Sequence, residues 1–292
     1  MKLHHDISVP QLVLFCGRTQ ENVQYLFDYL NTTEPSREFF GLLHKTVYTK
    51  YNAKPYRGYK LLQKDQELAE IKRVKSEKRP VWYILNCTAN EFPIMIKSLM
   101  EIKVFANSMK KSTEALKHYG LDIIDLMTNQ DKSGTSLISI TAVFSLIVAT
   151  QIALIDILKA VGIVPGGVIG HGVEELLCGY VDESLTAEQV ILAAYWTART
   201  LEESKLEAGT MVDLDISWSE VQKCCPKDIF PSRHLAEWYV TVSGPKNSVK
   251  NFAEKLKEEN VFTTEVESHG YALHCHHMHA VTESLRRNLE KS

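Results

Sequence analysis

Apolar positions along this chain alternate between short continuous runs and longer stretches with helical spacing. The run 12–16 (Leu12-Val13-Leu14-Phe15-Cys16) precedes Gly17-Arg18-Thr19. This predicts a buried strand turning into a helix over about 22–30, with Thr19 as its N-cap. A second mixed apolar segment covers 39–49, and Pro55-Tyr56-Arg57-Gly58-Tyr59 turns into a strand ending near 62. The highly charged stretch 63–78 reads as a connector. Pro80-Val81-Trp82-Tyr83-Ile84-Leu85 is uniformly apolar, the pattern of a strand buried on both faces of a parallel sheet. Helices are expected over 92–108, 110–118 and 122–127, and a loop at 131–136.

The segment 137–158 is long and apolar enough to cross a bilayer. It contains Ser139, Thr141, Ser145, Thr150, Gln151 and Asp156 and runs into Lys159, groups that are costly in lipid. The prediction is a buried core helix. A strand at 167–170 follows, then a glycine-rich corner, then helices at 173–179 and 186–206. The pattern then changes. Alternation over 210–216, a capping box at Ser217-Trp218-Ser219-Glu220, strands at 229–235 and 238–243, an amphipathic helix at 248–259 and a strand at 261–266 give the order β-α-β-β-α-β. That is the split βαβ, or ferredoxin-like, motif. It is placed as an insertion, because 271–289 reads as a return to the preceding domain.

The corner is Gly166-Gly167-Val168-Ile169-Gly170-His171-Gly172-Val173-Glu174-Glu175. An apolar run, a tight turn and a helix start are the layout of a nucleophile elbow, which exposes the serine of G-x-S-x-G enzymes. Here Gly172 stands at the serine position and Glu174 at that of the second glycine. Taken alone, this stretch also fits an ordinary strand-to-helix turn.

Charge and composition narrow the alternatives. A formal net charge of −3 provides no field for nucleic acid or an anionic membrane, so neither is expected as a partner. Six scattered cysteines without a C-x-x-C pair suit a reducing compartment, and no apolar leader opens the chain, so a cytoplasmic location is expected. No phosphate-binding glycine motif is present. His274, His276, His277 and His279 do not share one face of a helix or strand, so no metal site is expected. Cys87 and Cys275 are weighed as nucleophiles, but a lone cysteine is more often a small core residue.

Several blocks together resemble the linker and malonyl/acetyl acyltransferase domains of animal-type fatty acid synthases. They are Cys16-Gly17-Arg18-Thr19, Pro55-Tyr56-Arg57-Gly58-Tyr59, Arg79-Pro80-Val81-Trp82-Tyr83-Ile84, Gln151-Ile152-Ala153-Leu154-Ile155-Asp156, Val168-Ile169-Gly170-His171, Cys178-Gly179-Tyr180, Leu192-Ala193-Ala194-Tyr195-Trp196, Val240-Thr241-Val242-Ser243-Gly244-Pro245 and Leu273-His274. The resemblance implies an α/β fold. It has a small α/β linker domain (1–78), an α/β-hydrolase-like acyltransferase core (79–206 and 269–292) and an inserted ferredoxin-like subdomain (207–268).

The resemblance also implies a reaction. An acyl group passes from coenzyme A to a serine, then to the phosphopantetheine thiol of an acyl carrier protein, with a histidine as base. No bound cofactor is implied. The implied partners are acyl-CoA, carrier protein and neighbouring domains such as ketosynthase, with a homodimer in a full-length synthase. Such synthases continue beyond the helix that follows His274, and whether the chain is a fragment of a longer synthase stays open.

Residue by residue, His274 matches the base. His171 and Val173 flank the nucleophile position, Gly172. Thr88 and Glu91 lie in 87–91, where the resemblance implies a glycine- and glutamine-bearing block near the oxyanion site. Thr197 stands where the malonyl-selective form has an arginine for the substrate carboxylate. Arg199 is about 200° away around the same helix. Glycine has no atom to attack a thioester, and Glu174 would oppose developing negative charge. The expectation is an acyltransferase segment with impaired chemistry. A transferase acting by a non-serine route and a non-enzymatic binding or scaffold module are the alternatives.

Overall fold

The structure, a computed structural model, describes residues 11–33, 35–47, 54–62, 68–74, 79–86, 92–128 and 139–290. The chain divides into two compact units, Met1–Pro80 and Val81–Ser292.

In the first unit, strand β1 (Gln11–Gly17) leads into helices α1 (Gln20–Thr32) and α2 (Arg37–Val47), then strands β2 (Tyr56–Leu62) and β3 (Leu68–Arg73). The sheet is antiparallel in the order β1-β2-β3, with Phe15 opposite Gly58. Thr19 caps α1 by accepting from the Asn22 amide at 3.3 Å. Val13 and Phe15 of β1 are buried with Val23 and Phe27 of α1 and Leu43 of α2. Part of the charged stretch expected to be a connector is β3. Its side chains are almost all exposed, so backbone pairing to β2 decides the strand where apolar alternation gives no sign of it.

In the second unit, β4 (Trp82–Leu85) precedes α3 (Phe92–Leu99), α4 (Lys103–Lys117), α5 (Ile123–Thr128), α6 (Ile140–Ala160) and β5 (Gly167–Gly170). Helices α7 (Leu176–Val181) and α8 (Ala187–Glu203) follow. The apolar α6 lies at the centre, packed on α4 and α8, and most of its apolar window is buried by protein. Its polar groups have partners that suit a core. Asp156 accepts from the hydroxyls of Ser108 and Tyr180, and Thr141 donates to Glu202 at 2.8 Å. The helix expected over 92–108 is broken at 100–102 into α3 and α4.

Strands β4 and β5 pair in parallel, Tyr83 beside Val168 and Leu85 beside Gly170. Tyr83 and Leu85 enter the main core, while Trp82 is 57% and Ile84 74% exposed. The expectation of burial on both faces is therefore corrected. Continuous apolarity cannot distinguish a strand covered on both sides from one covered on a single side.

The segment after α8 forms a four-stranded antiparallel sheet. Its elements are β6 (Gly209–Leu214), α9 (Trp218–Cys224), β7 (Phe230–Ala236), β8 (Tyr239–Pro245), α10 (Lys246–Glu258) and β9 (Thr263–Val266), in spatial order β7-β8-β6-β9. This is the ferredoxin-like arrangement. The capping box at Ser217 and Glu220 starts α9. Val212, Leu214, Val240 and Val242 bury one sheet face against Val249, Phe252 and Leu256 of α10. The Gly209 amide donates to the Gly270 carbonyl at 2.8 Å, so the chain leaves the subdomain beside the point where it came in. It then runs through a 3₁₀ turn, His276–Val281, into α11 (Thr282–Leu289). Val281 packs with Ala198 and Leu201 of α8, and the Asn288 amide donates to Thr200 at 3.1 Å.

Candidate active site

The corner after β5 is built by two glycines with different tasks. At Gly170 a β-carbon would lie 2.5 Å from the Glu174 carbonyl oxygen and 2.6 Å from the Glu175 α-carbon. Only glycine lets the strand end directly beneath its own following helix. His171 stays extended, and its amide donates to the Leu85 carbonyl at 3.1 Å, prolonging the β4–β5 pairing by one step. Gly172 then turns at φ +71°, a left-handed conformation that costs glycine nothing. A 3₁₀ turn, Gly172–Glu175, feeds α7.

Among the described residues, a β-carbon at Gly172 would meet one atom within 4 Å, Glu174 Oε2, at 3.6 Å. Glu174 is only 4% exposed. A buried carboxylate thus stands against the vacant side-chain position at the apex of the turn. Val173 is half-buried and packs on the main core.

His274 comes to this corner from the chain returning out of the ferredoxin-like subdomain. It is exposed and left-handed, at φ +58°, a conformation that costs a non-glycine residue about 1 kcal/mol or more and clusters at functional sites. Partial desolvation by surrounding protein pushes its pKa below the ordinary histidine value. The positive charge of Arg233 adds to this, as does His171, while Glu175 pulls the other way. His171, Glu175, Arg233 and His274 therefore share one electrostatic neighbourhood. The Nε2 atom of His171 is buried and has no hydrogen-bond partner among the described residues.

A direct test of this arrangement is a proton-resonance titration of His274. The expected midpoint lies below about 6.5, the ordinary histidine value. Arg233→Gln raises it by removing a repelling cation, and Glu175→Gln lowers it further. The sign for stability follows. Because the folded state resists protonation, stability is fullest above the unfolded pKa and falls as pH drops through the folded pKa.

Arg233 has no signal in the sequence, being one cation among many. Two features of β7 bring it here. Its pairing to β8 is irregular between Pro231 and Arg233 and again between His234 and Ala236, and such bulges re-aim side chains. Phe230, at the start of β7, stacks on His276 at 4.5 Å, and His276 stacks on His279 at 5.5 Å. The strand therefore lies against the histidine-bearing segment.

The remaining candidates behave differently. The Thr197 hydroxyl donates to the Ala193 carbonyl at 2.7 Å, so it is engaged within α8. Arg199 is held by Glu203 at 2.7 Å and by Glu202 at 3.8 Å on the same helix. Cys275 donates to the Ala272 carbonyl at 3.2 Å. Thr88, Glu91 and Cys87 lie outside the described residues. Among the described residues no group of three or more histidine, cysteine or acidic side chains converges to hold a metal ion.

Comparison with known proteins identifies the scaffold. A model of the family described as "Acyl transferase domain" matches residues 94–292. The chain belongs to the acyl transferase domain family. Among curated proteins, this acyl transferase domain is 26% identical over 270 residues to the highly reducing polyketide synthase sphB of Aspergillus fumigatus, covering 88% of this chain and 10% of that protein. It is 24% identical over 304 residues to the highly reducing polyketide synthase PKS2 of Leptosphaeria maculans, covering 96% of this chain and 12% of that protein. The chain thus spans about a tenth of the length of these relatives.

Solved structures share the fold. The acyl transferase domain of SpnD, in complex with 2-(pent-4-yn-1-yl)malonyl, superposes with a TM-score of 0.74 at 16% identity, covering 97% of this chain and 70% of that one. The acyltransferase domain of the polyketide synthase PpsC of Mycobacterium tuberculosis gives 0.64 at 19% identity, covering 73% and 64%. The domain is homologous to the acyl transferase domains of polyketide synthases.

Proposed function

We propose that this acyl transferase domain belongs to a fatty acid synthase-like protein of the animal type. In this reading it receives acyl thioesters of coenzyme A and of a carrier protein's phosphopantetheine but is impaired in serine-mediated transfer. The observation that carries this is Gly172: the apex of the corner has no side chain, and the Glu174 carboxylate lies beside the open position. In a serine hydrolase, loss of the nucleophile costs on the order of a millionfold in turnover. Glu174 adds negative charge where a tetrahedral intermediate would build its own. His274 keeps the position of the base. Partners in this reading are the carrier protein and adjoining synthase domains, ketosynthase among them, within a cytoplasmic dimer.

Incubation with radiolabelled malonyl-CoA or acetyl-CoA tests the reading. The expected result is reversible binding without a covalent adduct by intact-protein mass spectrometry. An adduct formed at an ordinary acyltransferase rate sinks the claim of impairment.

A second reading draws on His274 itself, which is exposed and resists protonation. A neutral imidazole there suits deprotonation of a carrier thiol, which would attack the acyl-CoA carbonyl directly and expel the coenzyme A thiol. Transfer of label to carrier protein without any enzyme adduct, lost in His274→Ala, would favour this route.

A further inference from the structure

The resemblance places the carboxylate-gripping cation on α8, where this chain has Thr197 with its hydroxyl committed to Ala193. The other cation nearby on that helix, Arg199, is held by Glu202 and Glu203. The positive charge beside His274 comes instead from across the site, on β7. The geometry points to Arg233 as the residue that grips the free carboxylate of the acyl group in an acyl thioester, replacing from the ferredoxin-like side what α8 lacks. This rests on the acyl-thioester reading above.

Arg233 is a poorly neutralised, largely buried cation. Its side chain is 20% exposed, and its Nε is buried without a hydrogen-bond partner among the described residues. Its nearest carboxylate, Asp213, stands 3.8 Å from one terminal nitrogen, too far for a direct hydrogen bond. The oxygens of Asp213 already accept from Thr241 at 2.5 Å and Tyr239 at 3.2 Å. Asp213 thus anchors the guanidinium by charge without saturating its donors. A guanidinium presents five N–H groups in a planar fork that matches a carboxylate. Removing such a cation from water without full pairing is costly, and an incoming anion offsets that cost.

Position supports the same assignment. The two register irregularities of β7 flank Arg233. The Phe230–His276 stack fixes this strand against the segment that carries His274. The electrostatic influence of Arg233 on His274 agrees with that placement. Substrate acyl groups ending in a carboxylate would therefore be held with their thioester toward His274 and the Gly172 corner.

Calorimetric titration of the chain with malonyl-CoA, acetyl-CoA and free coenzyme A separates the possible roles of this cation. The expected result is that malonyl-CoA binds about tenfold more tightly than acetyl-CoA, the preference a charge-assisted hydrogen bond provides. Arg233→Ala and the similarly sized Arg233→Gln should abolish the preference, bringing malonyl-CoA affinity down to that for acetyl-CoA. Arg233→Lys should retain part of it. Loss of affinity for all three ligands together would assign Arg233 to a coenzyme phosphate and overturn the proposal, as would a preference that survives both neutral variants. If the native chain binds malonyl-CoA and acetyl-CoA equally, the proposal falls and the acyl-thioester reading stands. If it binds none of the three, both fall. Melting curves of each variant confirm that the comparisons are between folded proteins.

Discussion

Replacing Gly172 with serine and Glu174 with glycine together is expected to raise covalent acyl loading by several orders of magnitude. The ceiling is the roughly millionfold that nucleophile loss costs in a serine hydrolase. The steric case is favourable. Among the described residues a β-carbon at position 172 meets only the Glu174 carboxylate oxygen, at 3.6 Å, and the second substitution removes that carboxylate. The proposed base, His274, feels the charges of Glu175 and His171 at this corner and resists protonation. With Gly172→Ser alone the carboxylate stays beside the new oxygen and opposes the negative charge that develops on thioester attack. Loading by the single variant should therefore trail the double variant by at least about a hundredfold, comparable to losing one oxyanion donor. Serine at φ +71° costs about 1–3 kcal/mol, so both variants should melt below the native chain. Intact-protein mass spectrometry after incubation with acyl-CoA reads the adduct. A folded double variant with no adduct would mean that the oxyanion and carboxylate contacts have decayed along with the nucleophile.

Gly170→Ala carries the largest expected stability effect of any single methyl added at the site. Its β-carbon would press on the Glu174 carbonyl at 2.5 Å and the Glu175 α-carbon at 2.6 Å, and backbone atoms cannot swing aside. The strand and the following turn must separate, tearing at the β4–β5 pairing that His171 extends. A loss of about 3 kcal/mol is expected, the upper end of the usual cost of overpacking. For a unit of this size that lowers the melting temperature by roughly 6–12 °C. Gly162→Ala is the matched control. Unlike Gly170 it sits at positive φ, +76°, and an added β-carbon meets nothing within 4 Å among the described residues, so only conformational strain of about 1 kcal/mol is expected. Thermal unfolding of the two variants side by side decides whether close approach or backbone conformation is the stronger constraint. Equal losses would mean that close approach at Gly170 costs no more than the left-handed conformation at Gly162.

Much of the architecture is legible in the residue pattern because local chemistry and tertiary role agree. The capping box at Ser217, the N-cap at Thr19 and the strand-helix alternation from Gly209 onward each specify their element with short-range contacts. The long apolar α6 is readable as a core helix because its polar residues sit where a core partner could meet them, as Asp156 meets Ser108 and Tyr180. Two elements defeat the pattern. The charged strand β3 owes its conformation to the ladder of β2, which sequence periodicity does not encode. The strand β4 is apolar throughout yet covers only one face, because what packs against a strand is a property of the fold.

At the site the division is sharper. The sequence by itself determined identities that no fold can change: glycine at 172, threonine at 197 and glutamate at 174, which in the proposed reading stand in place of a nucleophile, a cation and a small residue. It also determined that His274 and His171 are the histidines to watch. Only the tertiary structure decided that the Glu174 carboxylate is buried against the open position at Gly172, that His274 is held in a left-handed turn, and that a cation reaches the same place from Arg233. The reason is physical. An amino acid's functional groups are written in its side chain, but its charge neighbours are set by segments distant in the chain. Here the charges of His171, Glu175 and Arg233, distant from His274 in the chain, act on its imidazole only because the fold gathers them.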